Sequence, residues 1–89
     1  MRYTRHDLQG NISNGFSINV KTHEGAHGVV MMEMNKRMGL AFCTMIPTNI
    51  SASQKHRINC AARSIGYKRD VYDLSFDRET HRRQTAADY

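Results

Sequence analysis

Residues 16–20 read FSINV, with apolar Phe16, Ile18 and Val20 separated by polar Ser17 and Asn19. Strict alternation over this length predicts a strand with one face buried. VVMMEM, Val29 to Met34, predicts a second strand with Val30, Met32 and Met34 on one face. A helix over residues 26–37 competes with it, because Met, Glu, Lys and Arg favour helices. Gly25, Gly28 and the paired valines weigh toward the strand. NKRMG, residues 35–39, reads as a tight turn. LAFCTMI, residues 40–46, is apolar on both faces, the pattern of a central strand. Pro47 ends it, since proline cannot donate to a continuing ladder.

After Pro47 the period changes to that of a helix. Ser51-x-x-Gln54 fits a capping box, and Ile58, Ala61, Ala62 and Ile65 form one apolar stripe. Gly66 closes the helix in the left-handed conformation, with Tyr67 folding back toward Ala62. VYDLSFD, residues 71–77, alternates again, with Tyr72, Leu74 and Phe76 on one face. Residues 1–15 are polar and turn-rich, without a sustained period. The expected fold class is therefore α+β: a small single domain over residues 1–76, an antiparallel β-sheet with one helix packed on one face, in the order β-β-β-α-β. Residues 77–89 form a polar, charged tail. Phe16, Phe42, Tyr67, Tyr72 and Phe76 are assigned to the core.

Composition narrows the picture. Eighty-nine residues with 39% hydrophobic content and no Trp make one modest core. No apolar run reaches the roughly 18 residues of a membrane span, and the first residues lack the apolar middle of a signal peptide. The expectation is a cytoplasmic protein with no membrane association and no cofactor. Cys43 and Cys60 are expected as free, buried thiols. The charge is segregated. Residues 34–69 carry Lys36, Arg37, Lys55, Arg57, Arg63, Lys68 and Arg69 with no acid, whereas residues 70–89 carry five acids against three arginines. A basic middle segment favours a polyanionic partner.

THEGAHG, residues 22–28, contains His23-Glu24-x-x-His27, the short signature of zinc peptidases. That chemistry needs both histidines on one helical turn, with the glutamate aimed at metal-bound water. Here the residues before it have a strand's period, and Gly25 and Gly28 each weaken a helix by about 1 kcal/mol. A zinc-dependent hydrolase built on His23 and His27 is thus the lesser reading. A solvated loop joining two strands is preferred, and catalysis is not expected. Cys60 with His56 one turn before it could form a thiolate pair, but no third catalytic member is visible.

On a helical wheel, His56, Asn59, Cys60 and Arg63 lie opposite the apolar stripe, flanked by Lys55 and Arg57. Lys36, Arg37, Lys68 and Arg69 extend the same basic surface. These nine residues, Cys60 excepted, are the candidate partner-binding set. The leading expectation is a small non-catalytic binding protein, an inhibitor or adaptor such as a phage or mobile element encodes, docking on an acidic protein surface. The alternative is a nucleic-acid-binding domain using helix 52–65, with His56, Asn59 and Arg63 at base edges and Lys55 and Arg57 at phosphates. An exposed sheet edge would also favour a homodimer. Residues 47–76 resemble the closing helix and strand of acyl-CoA-dependent N-acetyltransferases. That family's glycine-rich pyrophosphate loop has no counterpart upstream, and no residue is carried over.

Overall fold

The alternating segments pair in chain order into one sheet. The computed structural model describes residues 1–74. Strands β1 (Arg2–His6), β2 (Ile12–Lys21), β3 (His27–Asn35) and β4 (Gly39–Cys43) precede helix α1 (Ala52–Ser64). The sheet order is β1-β2-β3-β4, with every neighbouring pair antiparallel. The fold is α+β, an antiparallel sheet with one helix, as expected. Among the described residues its element order is β-β-β-β-α, which adds a first strand to the expected β-β-β-α-β and has no strand over residues 71–74.

The added strand is β1, whose residues carry no apolar period. It forms because the turn after it is strongly encoded. The Asp7 carboxylate accepts from the Gln9 amide at 2.9 Å and the Asn11 amide at 2.8 Å, while Gly10 takes a φ of 85°. Hydrogen bonds from Asn11, side chain first, hold the Asp7 carboxyl below its ordinary range. The hairpin then sets Tyr3 opposite Gly15 and Arg5 opposite Ser13. At the other end, residues 71–74 form bends and coil rather than a strand. Residues 75–77 of that expected strand, with Phe76, and the 77–89 tail lie outside the described residues. The alternation at Tyr72 and Leu74 is used to pack on the helix side of the core instead.

The register Phe16–Met32 and Ile18–Val30 puts the two predicted apolar faces together. That face buries Phe16, Ile18, Val20, Val30 and Met32 against Ile58 and Ala62 of α1 and its C-cap Ile65, with Ile50 and Tyr72 at its margin. Each fully buried side chain of this size is stabilising by about 1.5–3 kcal/mol relative to exposure.

The helix ends follow the sequence signals with one change. Ser51 Oγ accepts from the Gln54 amide at 3.3 Å. The Gln54 side chain does not return the bond to the Ser51 amide. It turns to β2, accepting from the Lys21 amide at 2.9 Å and donating to the Lys21 carbonyl at 3.0 Å. At the C-terminus, Tyr67 donates to the Ala62 carbonyl at 3.0 Å and Gly66 to the Arg63 carbonyl at 3.1 Å, with Gly66 at a φ of 102°. This is a Schellman closure.

Strand β4 departs from its sequence pattern. Although apolar on both faces, it stands at the sheet edge rather than in the centre. Phe42, expected in the core, is 45% exposed. The reason is topological: no described segment after the helix adds a strand beside it, and a bulge opposite Glu33 and Met34 shifts its register.

Candidate docking surface

The outer face of α1 presents His56, Arg57, Cys60 and Arg63, all exposed. Asn59, expected beside them, is instead 4% exposed. Its side chain donates from Nδ2 to the Tyr72 carbonyl at 3.0 Å and accepts from the Tyr72 amide at 2.9 Å. At 3.6 residues per turn Asn59 lies about 60° from Ala62, on the shoulder of the apolar stripe rather than opposite it, and the segment returning after the helix covers that flank. Lys55 is half-buried on the same flank, its ammonium 5.8 Å from the centre of the Tyr72 ring.

The remaining bases gather near the C-terminal end of α1. Arg63 pairs with Asp70, and the Arg69 guanidinium lies 5.7 Å from the centre of the Tyr67 ring. Lys68 is exposed between them in sequence. From the sheet, Lys36 lines a shallow cleft of about 430 Å³ whose opposite wall is Ser64, Ile65 and Gly66. Its neighbour Arg37 is exposed in the same turn, which Asn35 Oδ1 holds by accepting from the Arg37 amide at 2.9 Å and the Met38 amide at 3.1 Å. Arg2 joins the group by donating to the Ser64 carbonyl at 3.3 Å. Cations here complement the negative end of the helix dipole. Arg2 had no sequence signal, because its strand has no apolar period to place it.

Cys43 and Cys60 are both free, and both are exposed rather than buried. Desolvation raises the Cys43 thiol above its ordinary value. The Cys60 sulfur lies 3.5 Å from His56 Nε2.

The His23-Glu24-x-x-His27 segment is a hairpin turn between β2 and β3. Thr22 and Ala26 bridge it, with Thr22 N donating to the Ala26 carbonyl at 2.9 Å and Ala26 N donating to Thr22 Oγ1 at 3.0 Å. Gly25 takes a φ of 90°. His23 and His27 are exposed, and Glu24 accepts from the Asn49 amide group. The backbone thus gives a loop joining two strands, not the helical turn that the peptidase arrangement uses. Among the described residues, no three His, Cys, Asp or Glu side chains converge on one point.

The open face of the sheet holds a second polar cluster. Arg5 Nε donates to Glu33 Oε1 at 3.0 Å, and the Glu33 side chain is largely buried. Tyr3 lies over Gly15 with its hydroxyl buried beside Glu33, without a hydrogen bond of good geometry. Burial first, and then the Glu33 carboxylate, raise the Tyr3 phenol above its usual value. The cluster is filled by its own side chains.

Compared with known protein families, curated proteins and solved structures, the chain matches none of them. Among the described residues, no helix is long and apolar enough to cross a membrane.

Proposed function

We propose that the chain is a small non-catalytic docking protein, an inhibitor or adaptor whose basic surface engages an acidic protein face. The observation that carries this reading is the convergence of separate segments on one end of α1. Arg2 from β1, Lys36 and Arg37 from the β3–β4 turn, and Arg63, Lys68 and Arg69 from the helix end meet there. The one acid adjoining them in sequence, Asp70, is already held by Arg63. A one-signed surface of this kind speeds encounter with an oppositely charged partner and fixes orientation.

Protein is preferred over nucleic acid because the base-reading set is incomplete. Asn59 is committed to Tyr72, and Tyr67, the aromatic nearest these bases in sequence, is half-buried with Arg69 against its ring. Phosphate contacts alone would remain, and those carry no sequence information.

The test pairs two measurements. Affinity capture uses the immobilised chain and its Lys36→Glu/Arg37→Glu/Arg57→Glu/Lys68→Glu variant, all at exposed positions. Anisotropy of a labelled random duplex and single strand is read across salt concentration. Capture of an acidic protein by the wild type and not by the folded variant is the expected result. Equal capture by both sinks the proposal, and oligonucleotide binding that falls steeply with salt transfers the surface to nucleic acid.

A further inference from the structure

We infer that a second copy of this chain covers the outer edge of β4, pairing the two β4 strands antiparallel about a two-fold axis into one continuous sheet. The interface meets the basic surface only at the β3–β4 turn, where Lys36 and Arg37 precede Met38, and it gives the expected homodimer a defined contact.

The first ground is a mismatch between sequence and place. Residues 40–46 have the two-sided apolar composition of a central strand, yet β4 is terminal in the sheet. Phe42 and Leu40 remain 45% and 48% exposed, and Met38 and Met45 flank them at 81% and 94%. A neighbouring strand on that edge would cover Leu40 on the helix side of the sheet and Phe42 on the open side, making β4 central.

The second ground is charge. Two-fold pairing sets a strand against itself, so any net charge within it is opposed by the same charge. No charged residue occurs from Met38 to Gln54. With the axis near Ala41, the two Arg37 side chains fall at opposite ends, roughly 27 Å apart at about 3.4 Å per residue. That exceeds the screening length of about 8 Å at physiological salt. The other edge, β1, carries Arg2, Arg5 and His6 within five residues. Such a strand repels its own copy, which is how natural sheets protect an edge that is to stay open. The two edges are thus chemically opposite. A standard interface needs about 800 Å² per partner, and Val29, Met38 and Met45 supply apolar surface beyond the strand itself.

Sedimentation velocity of the full chain from micromolar to sub-millimolar concentration tests this. The expected result is a dimer whose association weakens by roughly a hundredfold or more in Leu40→Lys/Phe42→Lys, as burying unpaired ammonium groups requires. Thr4→Lys on β1 leaves it unchanged. Raised salt and Arg57→Glu/Lys68→Glu, on and after α1 rather than beside β4, also leave the dimer intact, which separates this outcome from failure of the docking proposal. A wild-type monomer at every concentration overturns the inference, as does a folded double variant that still dimerises. If the double variant does not fold, hydrogen exchange on the wild type decides. Protection of Leu40–Cys43 must rise with concentration while Arg2–His6 stays constant, and any other pattern overturns it.

Discussion

The side-chain amide of Asn59 and the backbone of Tyr72 exchange two hydrogen bonds, at 3.0 and 2.9 Å. The amide stands in for a paired strand, satisfying a buried donor and acceptor where the described residues 71–74 form no ladder. Tyr72 Oη in turn donates to the Pro47 carbonyl at 2.5 Å. One residue therefore ties the chain after the helix to the link before it.

Asn59→Ala leaves both Tyr72 backbone groups without their partner. A loss of about 2–4 kcal/mol is expected from two unsatisfied buried groups, read as a lower urea midpoint. Asn59→Asp retains the acceptor but loses the donor and sets a buried carboxylate against the Tyr72 carbonyl, so at neutral pH it should cost at least as much as Asn59→Ala. A neutral Asn59→Ala would mean that the returning segment is not anchored there.

Burial, the largest cause, pushes the Tyr72 phenol up to about 12 from an ordinary 10.0. A phenol that keeps its proton longer in the folded state contributes stability that is complete below its unfolded value. That contribution is lost as pH rises from about 10 through about 12, amounting to up to about 2–3 kcal/mol. Urea unfolding followed from neutral to alkaline pH should show this fall. In Tyr72→Phe the curve starts about 1 kcal/mol lower, for the lost Pro47 hydrogen bond, and declines less. Tyr3, also raised, leaves some residual slope. Parallel curves for the two proteins would show that Tyr72 does not set the alkaline limit.

Much of the fold was legible in the sequence, where one face of an element is apolar and the other polar. Phe16, Ile18 and Val20, then Val30 and Met32, and then Ile58, Ala62 and Ile65 lie in the core as their periods require. Gly66 and Tyr67 close the helix as read. What escaped was held by polar bonds, which leave no period. The Asp7 turn creates β1, and the Asn59 amide turns a predicted strand position into a docked coil. The basic set was legible residue by residue, but not its gathering near the helix end. Arg2 and Lys36 reach that end only through strand pairing.

Gln54 bonds both backbone groups of Lys21, and that needs a side chain with a donor and an acceptor. Gln54→Glu keeps the acceptor, loses the donor, and sets a carboxylate against the Lys21 carbonyl. A cost of about 1–3 kcal/mol is expected. Ser51→Ala removes the helix cap and one contact of Gln54 Nε2, at 3.3 Å, but leaves both bonds to Lys21 in place, and should cost about 1 kcal/mol. If Gln54→Glu proves as mild as a typical surface change, the bridge from helix to sheet contributes little. Thermal melts of the three proteins at neutral pH decide it.

Gly15 is tied to Tyr3 by direct cross-strand pairing, and the ring occupies the space that a side chain would need. A Cβ at residue 15 would lie 2.6 Å from Tyr3 Cζ and 2.9 Å from Glu33 Cγ. Gly15→Ala must therefore displace the ring or the strand, at about 1–3 kcal/mol. Tyr3→Ala alone is also destabilising, because it uncovers the glycine and the buried stem of Glu33. Together the two substitutions should cost less than the sum of each alone, with a coupling of about 1 kcal/mol or more for residues in contact. The residual cost in the Tyr3→Ala background measures the contact with Glu33, whose flexible side chain can move aside. A Gly15→Ala penalty of the same size with and without the ring would show that Tyr3 is not what requires glycine there.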